Sequence, residues 1–114
     1  FRVEVTNDWN GMIFRTVSDL LEDAGYSLSA ADGICAVPVE VTARREDNAA
    51  GIFIYCGIVI NVTDGNSETV FSYSRNFPKK GARTEGFAYQ RAYKAIANEL
   101  EASFVQEFSA KIKK

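Results

Sequence analysis

The sequence contains no histidine and only two cysteines among its 114 residues. Histidine is the side chain that titrates nearest neutral pH, so its absence excludes the usual catalytic triads and most transition-metal sites. A cysteine nucleophile needs a basic or helix-terminal environment, whereas Cys35 and Cys56 fall in apolar strand patterns. Neither a P-loop nor a dinucleotide fingerprint is present. We therefore expect a protein that is not an enzyme, with no catalytic residues, no metal site and no cofactor.

Long apolar runs are missing as well. Every continuous run is far shorter than the roughly 20 residues that span a bilayer, and the start at Phe1 lacks the features of a signal peptide. Thirteen basic and fifteen acidic side chains give a net charge of −2, which favours neither nucleic acid nor an anionic membrane. We expect no nucleic-acid partner and no membrane span. Residues 1–114 are interpreted as a single domain processed or excised from a longer precursor, with any lipid anchor upstream of Phe1.

The most regular pattern in the chain is the segment Ile52 to Val62, which predicts a central strand. Its even positions are apolar without interruption, and because side chains alternate along a strand, this row is expected to face the core. Its odd positions carry the two aromatic residues Phe53 and Tyr55. The opposite face of the sheet is therefore expected to be less than fully hydrated.

The remaining elements are predicted from periodicity and from turn residues. In chain order we expect a strand over 1–6, a helix from Trp9 that ends at Gly25, a strand over 34–43, a charged turn over 44–51, an Asp64-Gly65 turn, a strand over 68–75, a loop over 76–81 and a helix of some 28 residues from Arg83. The fold class is therefore α+β: a two-layer β-α-β-β-β-α arrangement, a mostly antiparallel meander sheet with two helices packed on one face. The end of the last helix, from Phe104 to Ile112, is expected to cap or overhang an end of the sheet.

Two residues of the second main strand carry separate predictions. Pro38 cannot donate to a ladder, which predicts that its strand is an edge or has a bulge there. A hairpin that pairs Val37 with Ile58 would place Cys56 about 13 Å from the position opposite Cys35. A disulfide tolerates a Cα separation of only about 7 Å, so two free buried thiols are favoured over a disulfide.

Two surface features could serve binding. The first is an apolar patch on the open face of the sheet, away from the helices, formed by Phe53, Tyr55, Val59 and Val70. The same side chains could instead be shielded by long neighbours, or could stack RNA bases as strand aromatics do in some RNA-binding modules. The second feature is a group of cations that is either an anion site or a solubilising loop, formed by Arg75, Lys79, Lys80 and Arg83.

Three segments carry a resemblance to a known group of proteins. Leu20 to Leu28, with its Ala-Gly-Tyr sequence, resembles a segment of bacterial envelope lipoprotein modules. Gly57 to Gly65, together with the alanines at positions 88, 92 and 95, is similar to domains of flagellar assembly protein T and of curli-secretion lipoproteins. The resemblance implies a periplasmic or outer-membrane-associated module that docks onto other envelope components and has no catalytic residues to carry over.

The sequence therefore favours a non-catalytic binding or assembly module of the bacterial cell envelope. Such a module would bind a protein partner or a second copy through the open sheet face or an edge strand. The alternative is a small-ligand-binding domain or a carboxylate-based enzyme, with its cleft between the last helix and the sheet. Most carboxylates fall where a solvated helix face would place them, at Asp19, Glu22, Asp23, Glu99, Glu101 and Glu107.

Overall fold

A computed structural model describes residues 1–26, 36–64 and 68–112 of the chain. The elements are β1 (Arg2–Thr6), α1 (Met12–Asp23), β2 (Ala36–Asn48), β3 (Gly51–Thr63), β4 (Thr69–Asn76), β5 (Lys80–Ala82), α2 (Glu85–Glu99), a π-helical turn (Leu100–Phe104) and α3 (Val105–Ile112). The predicted α+β class, with helices on one face of the sheet, is confirmed. The expected connection over 26–33 and the Asp64-Gly65 turn lie largely outside the described residues.

The strands form one sheet in the order β1-β2-β3-β4, and β5 pairs with the first part of β3. β1 and β2 are parallel, with Val3 opposite Val37, and the other pairs are antiparallel. A parallel pair needs a crossover connection, which here contains α1. The even positions of β3 face the helices as predicted, and Ile54, Ile58 and Ile60 are fully buried or nearly so.

The side chain of Asp8 accepts hydrogen bonds from free backbone N–H groups at the start of the first helix. The Asp8 carboxylate accepts hydrogen bonds from the N–H groups of Ile13 and Phe14 at 2.9 and 3.0 Å, which stabilises the start of α1. The helix ends at Asp23, and Gly25 follows with φ of +94°. This is the left-handed conformation expected of a glycine that terminates a helix.

The hairpin between β2 and β3 is longer than the sequence predicted, and its register differs by four residues. Ile58 pairs with Val41 rather than with Val37, and β2 continues to Asn48. The predicted charged turn is therefore mostly strand, and only Ala49 and Ala50 make the reversal. Charged side chains are compatible with a strand here because this end of the hairpin extends beyond the buried core.

Pro38 lies in an interior strand, so the predicted edge position is wrong. β2 runs between β1 and β3, and Pro38 pairs with Glu4 in the parallel register. Pairing with β3 includes Ala36 and resumes at Val39 without a change of register. The ladder between β2 and β3 omits Pro38 and the residue before it. The missing N–H of the proline therefore requires neither a change of register nor a bulge.

The last helix is interrupted by the π-helical turn, which the sequence analysis did not predict. Its buried row recurs every four residues and is at most 1% exposed: Ala88, Ala92, Ile96, Leu100, Phe104 and Phe108. An α-helix turns about 100° per residue, so a four-residue row drifts by about 40° at each step and by about 200° over five steps. A π-helical turn accommodates one extra residue, which offsets about 100° of this drift and keeps the row over the sheet.

Phe104 and Phe108 lie at the centre of an aromatic cluster, so of the two predicted possibilities, capping or overhanging an end of the sheet, the overhang is wrong. Their ring centroids are 5.9 Å apart, and the Phe104 centroid is 6.1 Å from that of Phe71 and 5.5 Å from that of Tyr73. Both phenylalanines are 0% exposed. The π-helical turn brings them inward over β4; the side chain of Ile112 lies outside the described part. Among the described helices, none is both long and apolar enough to cross a membrane.

Phe104→Ala is expected to lower the free energy of unfolding by about 3–5 kcal/mol, because it leaves a cavity in the aromatic cluster. Phe87→Ala removes the same ring from a position that is 62% exposed and should change the free energy by no more than about 0.5 kcal/mol. Denaturant unfolding followed by circular dichroism measures both. Similar losses for the two variants would contradict the burial of Phe104.

Candidate functional site

The open face of the sheet carries three residues of the predicted apolar patch, Phe53, Tyr55 and Val59, whereas Val70 packs against the core at the edge beneath α3. Val59 is 37% exposed, and Phe53, Tyr55 and Val70 are half-buried. Polar groups lie between them, since the hydroxyl of Ser72 donates to the Oδ1 atom of Asn61 at 2.9 Å. The patch is therefore divided into small apolar areas.

Basic side chains cover both aromatic rings of this face. The guanidinium carbon of Arg44 lies 4.2 Å from the Tyr55 ring centroid, and the Lys79 Nζ lies 4.8 Å from that of Phe53. Gly81 of β5 lies opposite Phe53, and a Cβ atom at Gly81 would be 2.6 Å from the ring. These contacts favour the shielding interpretation for the two rings. Partner binding on this face stays a prediction.

The four cations predicted as an anion site do not surround a common point. Arg75 lies over the Tyr73 ring and pairs with two carboxylates, Glu107 and, at 3.5 Å, Glu99. Lys79 lies on the open face with Phe53, whereas Lys80 follows it in β5 and pairs opposite Ile54. Arg83 is exposed before α2. An anion at Arg75 would have to compete with the carboxylates that already neutralise it.

The alternative function predicted from the sequence is ligand binding or catalysis in a cleft between the last helix and the sheet. The structure has a packed interface there. Ala88, Ala92 and Ile96 of α2 lie against β3 and are at most 1% exposed. Farther along, the hydroxyl groups of Tyr73 and Ser103 are 2.8 Å apart, and Ser103 donates to the Glu99 carbonyl oxygen at 3.0 Å. These polar groups stabilise the π-helical turn and do not line an open cleft.

A groove of about 640 Å³ follows the outer edge of β4 beneath α3. One side is formed by Thr69, Val70, Phe71 and Ser72 of β4, and the other by Glu107, Ala110 and Lys111 of α3. β4 is the last strand in the sheet order, so its outer backbone groups have no ladder partner within the described ranges. We name this feature the β4 groove.

The helix side of the β4 groove follows from the spacing of its residues. Ala110 and Lys111 follow Glu107 by three and four residues. The three side chains therefore share one stripe of α3, next to the buried Phe108. The sequence shows this stripe, but not that it lies beside a strand edge, because the strand order could not be predicted. The arrangement offers backbone hydrogen-bonding groups beside a half-covered trough.

Cys56 is a free and buried thiol, as the sequence analysis favoured, and burial raises its pKa to about 11. It is opposite Ala43 in the hairpin. Cys35, the other half of that prediction, lies outside the described residues. A thiol with this pKa is almost entirely protonated at neutral pH and is unsuited to nucleophilic catalysis.

Gly81→Ala is expected to destabilise the protein by about 1–3 kcal/mol, because the new methyl group must displace the Phe53 ring. Gly86→Ala is the matched control, since a Cβ atom there meets nothing within 4 Å. Within the first turn of α2 that substitution should stabilise by up to about 1 kcal/mol. Denaturant unfolding of both variants measures the signs, and a stabilising Gly81→Ala would contradict the contact.

The Cys56 thiol should react with iodoacetamide at pH 8 at least about 100-fold more slowly in the folded protein than in the unfolded chain. Its folded pKa exceeds the unfolded value of about 8.5, so the unfolded chain loses its proton first as the pH rises. The contribution of the Cys56 thiol to the free energy of unfolding is therefore fully present below about pH 8.5 and decreases from there toward pH 11. Mass spectrometry of the Cys56 peptide measures the rate, and Cys56→Ala should remove this part of the pH dependence. Equal rates in the two states would contradict the burial.

No protein-family model matches the chain, and no curated protein matches its sequence. The fold is similar to that of a minor lipoprotein from Acinetobacter baumannii, with a TM-score of 0.61 and 15% identity over 96% of this chain and 91% of that one. It is also similar to that of lipoprotein GNA1162 from Neisseria meningitidis, with a TM-score of 0.52 and 14% identity over 90% of this chain and 99% of that one. The protein has the fold of these bacterial lipoproteins.

Proposed function

We propose that the protein is a non-catalytic assembly module of the bacterial cell envelope and that it binds a protein partner by strand addition in the β4 groove. The observation that carries the proposal is the unpaired outer edge of β4 beside the stripe of α3. An extended segment of the partner would pair its backbone with β4, which gives affinity without a catalytic or charged centre.

The composition of β4 supports this use of its edge. Exposed edge strands are usually protected by charges, by proline or by bulges. From Thr69 to Ser74 the strand has neither a charge nor a proline, and its one irregularity is a bulge at Val70, opposite Val62 and Thr63, so the strand is regular from Phe71 to Ser74. Arg75 follows, but its guanidinium is held by Glu99 and Glu107. The edge is therefore accessible to another strand.

The shape of the β4 groove also limits what can bind there. Four consecutive residues of β4 form its wall, but because Val70 bulges, the regular edge that a partner strand can pair with begins at Phe71. Ala110 has a small side chain, so the added strand can carry a larger apolar side chain on the face beneath α3. We therefore expect a short extended segment with at least one apolar residue that points toward the helix layer.

The envelope location is supported by the fold that the chain shares with two bacterial lipoproteins. The resemblance to flagellar assembly protein T and curli-secretion lipoproteins supports the same compartment, periplasmic or associated with the outer membrane. A lipid anchor upstream of Phe1 would hold the module there. Each of these finer assignments is part of the proposal.

Photo-crosslinking in cells of the source organism tests the binding surface. We expect a photoreactive residue at Lys111, on the α3 side of the β4 groove, to give a defined protein adduct, and one at Val59, on the open sheet face, to give none. The mass of the adduct distinguishes a second copy of the chain from another protein. Fractionation of the same cells should place the protein in the envelope fraction.

Two matched pairs of substitutions test the same assignment. Val70→Lys and Ala110→Arg should each weaken the Lys111 adduct at least about tenfold, because they place bulk and charge in the β4 groove. Val59→Lys and Gln106→Arg make similar changes at exposed positions outside it and should leave the adduct unchanged. Adducts at Val59 alone, or recovery in the cytosolic fraction, would overturn the proposal.

A further inference from the structure

A second concavity, of about 450 Å³, lies between the loop before α1 and the first turns of α2. Its wall contains three aromatic side chains, and its rim carries two carboxylates. The lining residues are Asn7, Asp8, Trp9, Glu85, Gly86, Tyr89 and Tyr93. None of them belongs to the β4 groove, so we treat this feature separately and name it the aromatic pocket.

The three rings form a curved wall. The ring centroid of Tyr93 is 6.2 Å from that of Trp9 and 6.4 Å from that of Tyr89, and the planes are tilted by 37° and 46°. The Tyr93 hydroxyl donates to the Asn7 carbonyl oxygen at 2.7 Å, which fixes the central ring. Trp9 and Tyr89 are half-buried, so part of each ring remains accessible. Tyr93 is 2% exposed, so the aromatic surface that a ligand can reach belongs to Trp9 and Tyr89, whose rings carry a negative quadrupole on their faces.

The charges around the aromatic pocket are mainly negative. Asp8 is held in place by backbone N–H groups at the start of α1, and Glu85 is 3.2 Å from Arg45, which also binds Asp47 at 2.8 Å. Glu85 and Asp47 therefore share one guanidinium, whereas Asp8 accepts only backbone N–H groups. The two helix N-termini contribute at most about half a positive charge each, which does not cancel the excess. None of the described lining residues is basic, so the pocket is unsuited to a phosphate or a carboxylate.

We propose that the aromatic pocket binds a small organic monocation of the quaternary ammonium type, such as choline. Such a cation is bulky and weakly hydrated, so it gains contact with the ring faces at little cost in lost hydration. The fixed carboxylates supply long-range attraction without closing the pocket. The inference does not depend on the proposed strand addition, because the two features share no residue.

The fluorescence of Trp9 provides a direct readout, since it is the one tryptophan in the chain. Titration with choline should give a saturable change at constant ionic strength. The neutral isostere 3,3-dimethylbutan-1-ol should bind at least about tenfold more weakly, because it has the same shape but no charge. Phosphocholine should also bind more weakly than choline, because its phosphate meets the carboxylates.

Four substitutions locate the response. Tyr89→Leu should weaken choline binding about fivefold and Glu85→Gln about twofold, since they remove a ring face and a charge. Gly86→Leu, at a site where a Cβ atom meets nothing within 4 Å, should narrow the pocket and weaken binding as well. Phe87→Leu changes an exposed aromatic residue outside the pocket and is the matched control, with no expected effect.

Three results would overturn the inference, provided that circular dichroism shows each variant to be folded. The first is no saturable response of the wild-type protein to choline. The second is an equal response to the neutral isostere, which would indicate apolar contact alone. The third is an equal effect of Tyr89→Leu and Phe87→Leu. Because Lys111 crosslinking does not involve this pocket, failure of one proposal leaves the other standing.

Discussion

The contact between one face of β3 and the four-residue row of the C-terminal helix is the interaction on which the rest of the structure depends. β3 pairs with three other strands, and its inward side chains lie beneath that row. Alanines at 88 and 92 allow a close approach of backbone to sheet, whereas Phe104 and Phe108 fill the wider space over β4. The π-helical turn makes both possible in one helix because it offsets about half of the rotational drift of the row.

The same turn explains why the outer edge of β4 is beside a helix. By returning Phe104 and Phe108 to the core, it directs Glu107, Ala110 and Lys111 toward the edge. Arg75, held by Glu99 and Glu107, fastens β4 to both sides of the turn. The proposed binding groove is therefore a consequence of core packing, since its wall includes Phe71 and its helix side adjoins Phe108, both of which belong to the core.

Local patterns in the sequence were sufficient to predict much of the fold. The alternation from Ile52 to Val62 was sufficient to predict a central strand and its buried face, and Gly25 was sufficient to end α1. The register of the hairpin was wrong because alternation repeats every two residues and is equally satisfied by a shift of four. Pro38 was placed at an edge because a missing donor is visible in the sequence, whereas the skipped ladder position that accommodates it is not.

For the candidate binding surfaces too, some features follow from the sequence and others only from the tertiary structure. The sequence by itself determined which side chains alternate on each strand, which residues recur at the helix surface, and that histidine chemistry is absent. Only the tertiary structure decided that Arg44 and Lys79 cover Tyr55 and Phe53, that β4 forms an edge, and that Trp9 lies beside Tyr93 across 84 residues of chain. The physical reason is that local patterns constrain the faces of each element, whereas contacts between distant segments depend on the order and register in which those faces pack.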